Sequence, residues 1–342
     1  MTSRERCLRA IKLERPDRMP VIPQAHIWTL YYYGSTSEAC MENGSLYAEL
    51  QLKGWRDFEW DGMFVATDSV ALAHSLGAPV EVADTGVVPA SGGLLENIQA
   101  AADLKFPDPR DTRLNEWIEA TRVLVREAGD SALIIARADQ GPFSLSCQLC
   151  GMQQFMTEIG YGGHHEDIHA LLRLSTEYVW SFAKLLLEAG AHVVSIGDAL
   201  ASGSLISPAT FQEYAFPYQQ EVARRVHKHG GKLSIHICGQ TSTVMNRLAE
   251  TGTDVVEFDA PTDFREAWKL SHERVCLLGN VDTSDVMAFG TPEMVVTECR
   301  KRIDIVKPDG GFILSSGCAL SPNTPAENIR AMVDAAKEFG VY

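Results

Sequence analysis

The chain has 342 residues, 45% of them hydrophobic and 22% charged, enough to bury a full core in one large domain or two average ones. Its formal net charge of −15 excludes sequence-independent binding to nucleic acid or an anionic membrane, since both need clustered Lys and Arg. The opening MTSRERCLRAIKLERPDR is charged from its fourth residue, and nowhere do about eighteen apolar residues run together, so a soluble, cytoplasmic protein is expected.

A first helix is predicted over roughly Ser3 to Leu13, with its N-cap at Thr2 or Ser3. Eight apolar, largely β-branched runs follow: Pro20 to Ile27, Gly62 to Ser69, Ala132 to Gln140, His192 to Ala199, Lys232 to Gly239, Asp254 to Pro261, Val275 to Asp282 and Gly311 to Cys318. Between most of them lie segments such as TPEMVVTECRKRIDIVK, where apolar residues recur at three- and four-residue steps. Alternating strands and helices, with strands apolar throughout, imply an α/β fold built on a covered parallel sheet. Eight such units suggest closure into a (β/α)8 TIM barrel with an N-terminal helical extension, the open doubly wound sheet being the other arrangement. PDPRDT near Asp108 is a turn-rich junction, but no Gly-Ser linker or low-complexity tract divides the chain, so one domain over residues 1–342 is expected.

Active sites of such barrels lie at the C-terminal ends of the strands. The polar residues closing the runs are Gln24, His26, Asp68, Arg137, Asp139, Asp198, His236, Cys238, Glu257, Asp259, Asn280, Asp282 and Cys318. Residues two apart on a strand face the same side, so His236 and Cys238 can reach one ion while Ile237 turns into the packing. With Cys318 from another strand end they make a candidate zinc site of two thiolates and one imidazole, with one position left for substrate.

Eight cysteines in a long chain without a secretion signal read as reduced thiols, some of them ligands, rather than a disulfide framework. Cys147 and Cys150 form a C-x-x-C at the start of an apolar helical stretch and read as packing thiols. The segment DIHALL lacks the glycine of a D-x-H-x-x-G cobalamin loop, so no built-in corrinoid domain is expected. Asp68, Asp198, Asn280 and Asp282 are the candidate catalytic residues, with helix capping as the rival role for the aspartates. Gln24, His26 and Arg137 are the candidate substrate-binding residues, and Arg137 has a rival partner in Asp139.

The opening MTSRERCLRAIKLERPDRMPVIP, the segment DGMFVATDSVALAHSLGAPVE, the strand end LLGNVD and the closing GCALSPNTPAENIRAMVDAAKEFG resemble the uroporphyrinogen decarboxylase superfamily, nearly end to end. Within it, H-x-C with a distant Cys resembles the zinc-dependent corrinoid methyltransferases. The decarboxylases carry an R-Q-A-G-R segment where this chain reads IPQAHIWTLYYYG, and a histidine where it has Cys318; Asp68 stands where their catalytic aspartate aligns. The resemblance implies transfer of a methyl group from a methyl-Co(III) corrinoid, supplied by a separate corrinoid protein, to a small thiol such as coenzyme M. It also implies a Zn2+ ion on His236, Cys238 and Cys318, with Glu257, or else Asp259, as a displaceable fourth ligand. The alternatives are a metal-free decarboxylase and a corrinoid-dependent methyltransferase with tetrahydrofolate as acceptor.

Overall fold

The computed structural model describes residues 1–66, 68–83, 86–89 and 92–342. Seven of the expected runs form strands of one parallel sheet: β1 (Gly62–Val65), β4 (Leu133–Gln140), β5 (Val193–Gly197), β6 (Leu233–Ile237), β7 (Val255–Phe258), β8 (Cys276–Val281) and β9 (Phe312–Ser316). They pair in that order, each with the next. The remaining run is extended only near Val21, and helix His26–Tyr32 takes over its second half. That short stretch closes the sheet into a barrel. Ile22 N–H donates to Leu314 O (2.9 Å), Leu314 N–H to Pro20 O (2.9 Å), and Asp61 N–H to Val21 O (2.8 Å), so it lies between β9 and β1.

Side chains of a barrel strand alternate between interior and surrounding helices, and the buried residues divide accordingly. Ile22, Phe64, Ile135, Val193, Val255, Leu278 and Ile313 form an inner cluster together with Cys7, Ala10 and Ile11 of the first helix. That helix, Ser3–Ile11, therefore plugs the end of the barrel at which the strands begin. Thr2 caps it through a reciprocal bond with Glu5, the capping-box arrangement. The outer layer is packed by amphipathic helices. Leu114–Ala128 buries Leu114, Trp117, Ile118, Thr121 and Leu124 along one stripe, the three- and four-residue spacing that its sequence shows.

One buried carboxylate holds plug and seam together. Asp61, fully inaccessible, accepts from Arg6 (2.7 Å), Arg18 (2.8 Å), Ser3 (2.6 Å) and the Val21 N–H (2.8 Å). A second sheet, absent from the expectation, is the hairpin β2 (Val80–Ala83) and β3 (Gly86–Pro89), inserted after β1. Among the described residues no helix is long and apolar enough to cross a membrane.

Candidate functional site

A cavity of about 290 Å3 opens at the end of the barrel where the strands finish. Its lining includes Gln24 and His26 after the closing stretch, Asp68 after β1, Arg137 on β4, Gly197 ending β5, His236 and Cys238 around the end of β6, and Cys318 after β9. Val88, from the unanticipated hairpin, joins them.

The structure brings His236, Cys238 and Cys318 together. His236 Nε2 lies 3.1 Å from Cys238 Sγ and 3.6 Å from Cys318 Sγ, and the two sulfurs are 3.8 Å apart. Tetrahedral zinc with its usual bond lengths separates two thiolate ligands by about 3.8 Å and a thiolate from an imidazole nitrogen by about 3.6 Å. The donors present thus fit that ion in kind and in spacing. Gly239, at φ +72°, makes the turn that follows Cys238, and its N–H donates to Asp259 Oδ2 (2.9 Å). Without a metal the two thiols share their charge unequally. The hydrogen bond from Cys238 holds the Cys318 pKa well below the ordinary thiol value, assisted by His236, while the same bond and burial push Cys238 upward.

Glu257, expected as a displaceable fourth ligand, lies on the far side of the His236 ring from the sulfurs. In parallel register beside His236, its carboxylate faces the other ring nitrogen, with Oε2 3.9 Å from Nδ1. Its oxygens are already engaged by Ser195 (2.6 Å), Ser234 (2.7 Å) and the Arg137 guanidinium (2.7 Å). Burial opposes its charge, but Arg137, His236 and the hydroxyls outweigh it and hold its pKa below the usual carboxylate value. Asp259, the alternative ligand, is spent on the Gly239 and Ala260 N–H groups.

Arg137 pairs with Glu257 rather than with Asp139, and Gln24 Oε1 accepts weakly from the same guanidinium at 3.4 Å. Gly197 lies against it: a Cβ there would come within 3.3 Å of Nη1. His26 is buried and its Nδ1 has no hydrogen-bond partner. Burial, with the Arg137 charge nearby, drops its pKa to about 3, so the ring is neutral.

The residues expected to be catalytic have the following partners. Asp68 lines the cavity, but Arg113 grips both its oxygens (2.7 and 3.0 Å) and Oδ1 also takes the Val70 N–H. Asp198, Asn280 and Asp282 do not line the cavity. Asp198 accepts from Ser144 N–H at the start of helix Pro142–Cys150 and from Gln219 Nε2, and burial raises its pKa. Asn280 donates to Asp259 O and Thr262 O and accepts from Arg302, whereas Asp282 caps the turn Thr283–Ala288. Strand-end carboxylates divide between cavity and following helix according to which side of the turn they face, and position along the sequence does not fix that side. Cys147 and Cys150 are buried and unpaired, as packing thiols should be.

Sequence reasoning passed over Ser195 and Ser234. Each is a small polar residue in mid-strand at an otherwise apolar position, a signal that a buried charge lies opposite.

The sequence profile of the uroporphyrinogen decarboxylase (URO-D) family matches residues 2–339. A methylcobamide:CoM methyltransferase MtbA of Methanosarcina acetivorans is 27% identical over 342 residues, covering 99% of this chain and 98% of that protein. A uroporphyrinogen decarboxylase of Coxiella burnetii is 26% identical over 354 residues, covering 98% and 95%. Among solved structures, a methyltransferase from Methanosarcina mazei shares the fold with a TM-score of 0.89, at 22% identity and over 99% of both chains. The chain belongs to the uroporphyrinogen decarboxylase family.

Proposed function

We propose that the protein is a corrinoid-dependent methyltransferase, which moves a methyl group from a methyl-Co(III) corrinoid to a small thiol. Relatives with two different activities match at nearly equal identity, so overall similarity does not choose between them. The convergence of His236, Cys238 and Cys318 at one cavity wall carries the choice. A tetrapyrrole decarboxylase has to neutralise several substrate carboxylates, yet among the described residues lining this cavity Arg137 is the sole arginine, and Glu257 already neutralises it.

His236, Cys238 and Cys318 would hold a zinc ion, which when bound supplies the Lewis acidity that makes an acceptor thiol available as thiolate at neutral pH. The acceptor sulfur donates its electron pair to the methyl carbon, the carbon–cobalt bond breaks with its pair left on the metal as Co(I), and the thiol proton goes to solvent. Gln24, neutral His26 and Arg137 line the wall against which the rest of the acceptor packs. The volume, near 290 Å3, suits a small thiol such as coenzyme M.

In this reading the corrinoid arrives on a separate protein, since the described elements are those of the barrel, its helices and one hairpin. Tyr161, Leu205 and Phe289 are exposed side chains on connections that follow β4, β5 and β8, so all three belong to the cavity end, where such a partner docks.

Purified protein given methylcobalamin and a panel of thiols tests the reading. Loss of the methyl-corrinoid absorption with appearance of the thioether is expected, together with stoichiometric zinc and abolition of both by Cys318→Ala. Metal-free protein that leaves methylcobalamin intact and decarboxylates uroporphyrinogen would overturn it.

A further inference from the structure

Away from the cavity, a second group of described residues brings three ligating side chains together: His165, His169 and Glu213, with one donor atom of each within 4.8 Å of the others. We propose that these three hold a divalent transition-metal ion of the copper, nickel or zinc kind, independent of the cysteine centre.

His165 and His169 are four residues apart on the helix His165–Glu188, so one turn stacks their rings on a common face, with centroids 4.3 Å apart. Glu213 comes from the neighbouring turn Phe211–Ala215, and its Oε1 lies 3.5 Å from His165 Nδ1. The surroundings orient the His169 imidazole as the outer partner of a metal site does. Tyr218 Oη meets His169 Nδ1 at 2.5 Å and leaves Nε2 as the nitrogen without a partner. The Tyr214 ring stacks on His169 (5.2 Å, 24°), and its hydroxyl lies 3.1 Å from His165 Nδ1.

Two imidazoles and a carboxylate form a nitrogen and oxygen set of intermediate softness, which by the general order of affinities favours Cu(II), then Ni(II) and Zn(II), over calcium or magnesium. His165 and Glu213 are about half exposed, so the remaining coordination positions open to water. The helix bearing the histidines ends just before the start of β5, so its first turn lies toward the opposite end of the barrel, and Glu213 follows the end of β5. Both therefore begin at the same end of the barrel as the cavity, and the ion would stand at its rim.

The test uses the full chain carrying Cys238→Ser and Cys318→Ser, which removes the sulfur site and makes the outcome independent of the methyltransferase reading. Equilibrium dialysis against Cu2+, Ni2+ and Zn2+ separately is expected to retain one ion per chain. Adding His165→Ala with His169→Ala should abolish that retention, while an unchanged circular dichroism spectrum shows that the fold survives. Co2+ in the protein carrying Cys238→Ser and Cys318→Ser should give visible d–d bands without the near-ultraviolet charge-transfer band of thiolate ligation. Failure to retain any of the three ions, or retention unaffected by loss of the two histidines, would overturn the proposal.

Discussion

His236 faces, across its second ring nitrogen, the residue that the resemblance implied as a displaceable zinc ligand, Glu257. Nε2 points to the sulfurs, and Glu257 Oε2 lies 3.9 Å from Nδ1, too far for a hydrogen bond, so it is the negative charge of the carboxylate that favours a proton on Nδ1 and a free lone pair on Nε2. Glu257→Gln keeps the shape and the bonds from Ser195 and Ser234 but removes the charge. Zinc affinity, read by competition with a chromophoric chelator, is expected to fall roughly 10- to 100-fold; an unaltered affinity refutes the role. Asp139 behaves differently. Its backbone is left-handed (φ +57°), Leu72 N–H satisfies one oxygen, and the other is buried without a partner. Burial, then the Asp68 charge, pushes its pKa up to about 7. The unfolded chain gives up this proton near the ordinary aspartate value of about 3.9, so the native state binds more protons between the two values and stability falls as pH rises through that interval. Asp139→Asn, whose side chain tolerates the left-handed region, is expected to flatten the fall. Its stability should exceed that of the parent at pH 8 and approach it at pH 5, by thermal or urea unfolding; parallel pH profiles for the two proteins would refute this.

At the scale of elements, the strand runs were legible because buried parallel strands are apolar throughout, and residues 311–318 and 232–239 read directly as β9 and β6. The convergence of His236 and Cys238 was legible for the same reason: alternation along β6 fixes both on one side. Two things were not. The hairpin Val80–Ala83 and Gly86–Pro89 consists of short strands paired only with each other, too short for a periodic signal. The carboxylates at strand ends serve whichever neighbour tertiary packing brings, and Asp198 shows the result. It receives the first N–H groups of helix Pro142–Cys150 and Gln219, so Asp198→Ala strands two buried donors at about 1–3 kcal/mol each. The melting temperature is expected to drop by several degrees while methyl transfer per folded molecule stays near that of the parent. Loss of turnover without loss of stability would instead restore the catalytic assignment.

For the whole molecule, the barrel depends on Asp61, which no motif singled out. It ties Arg6 of the plugging helix and Arg18 to the Val21 N–H of the closing stretch. Removing one partner of a buried charge network commonly costs about 3–5 kcal/mol. Asp61→Ala is therefore expected to lower the urea midpoint and to speed hydrogen exchange at the amides of Ile22 and Leu314, which bond across the seam. Global destabilisation without preferential exchange there would show that the carboxylate does not govern closure.

The position of that seam sets a condition on biosynthesis. The segment that completes the ring is made long before its neighbour on one side: Gln24 N–H bonds Ser316 Oγ across 292 positions of sequence. While the chain is still being elongated, Pro20 to Ile22 lack their β9 partner, and the apolar faces of Cys7, Ile11 and Ile22 lack the complete interior that covers them. The chain from Pro20 through Ser316 must leave the ribosome before this edge is sealed, and for that interval the nascent protein presents a surface of the kind that chaperones bind.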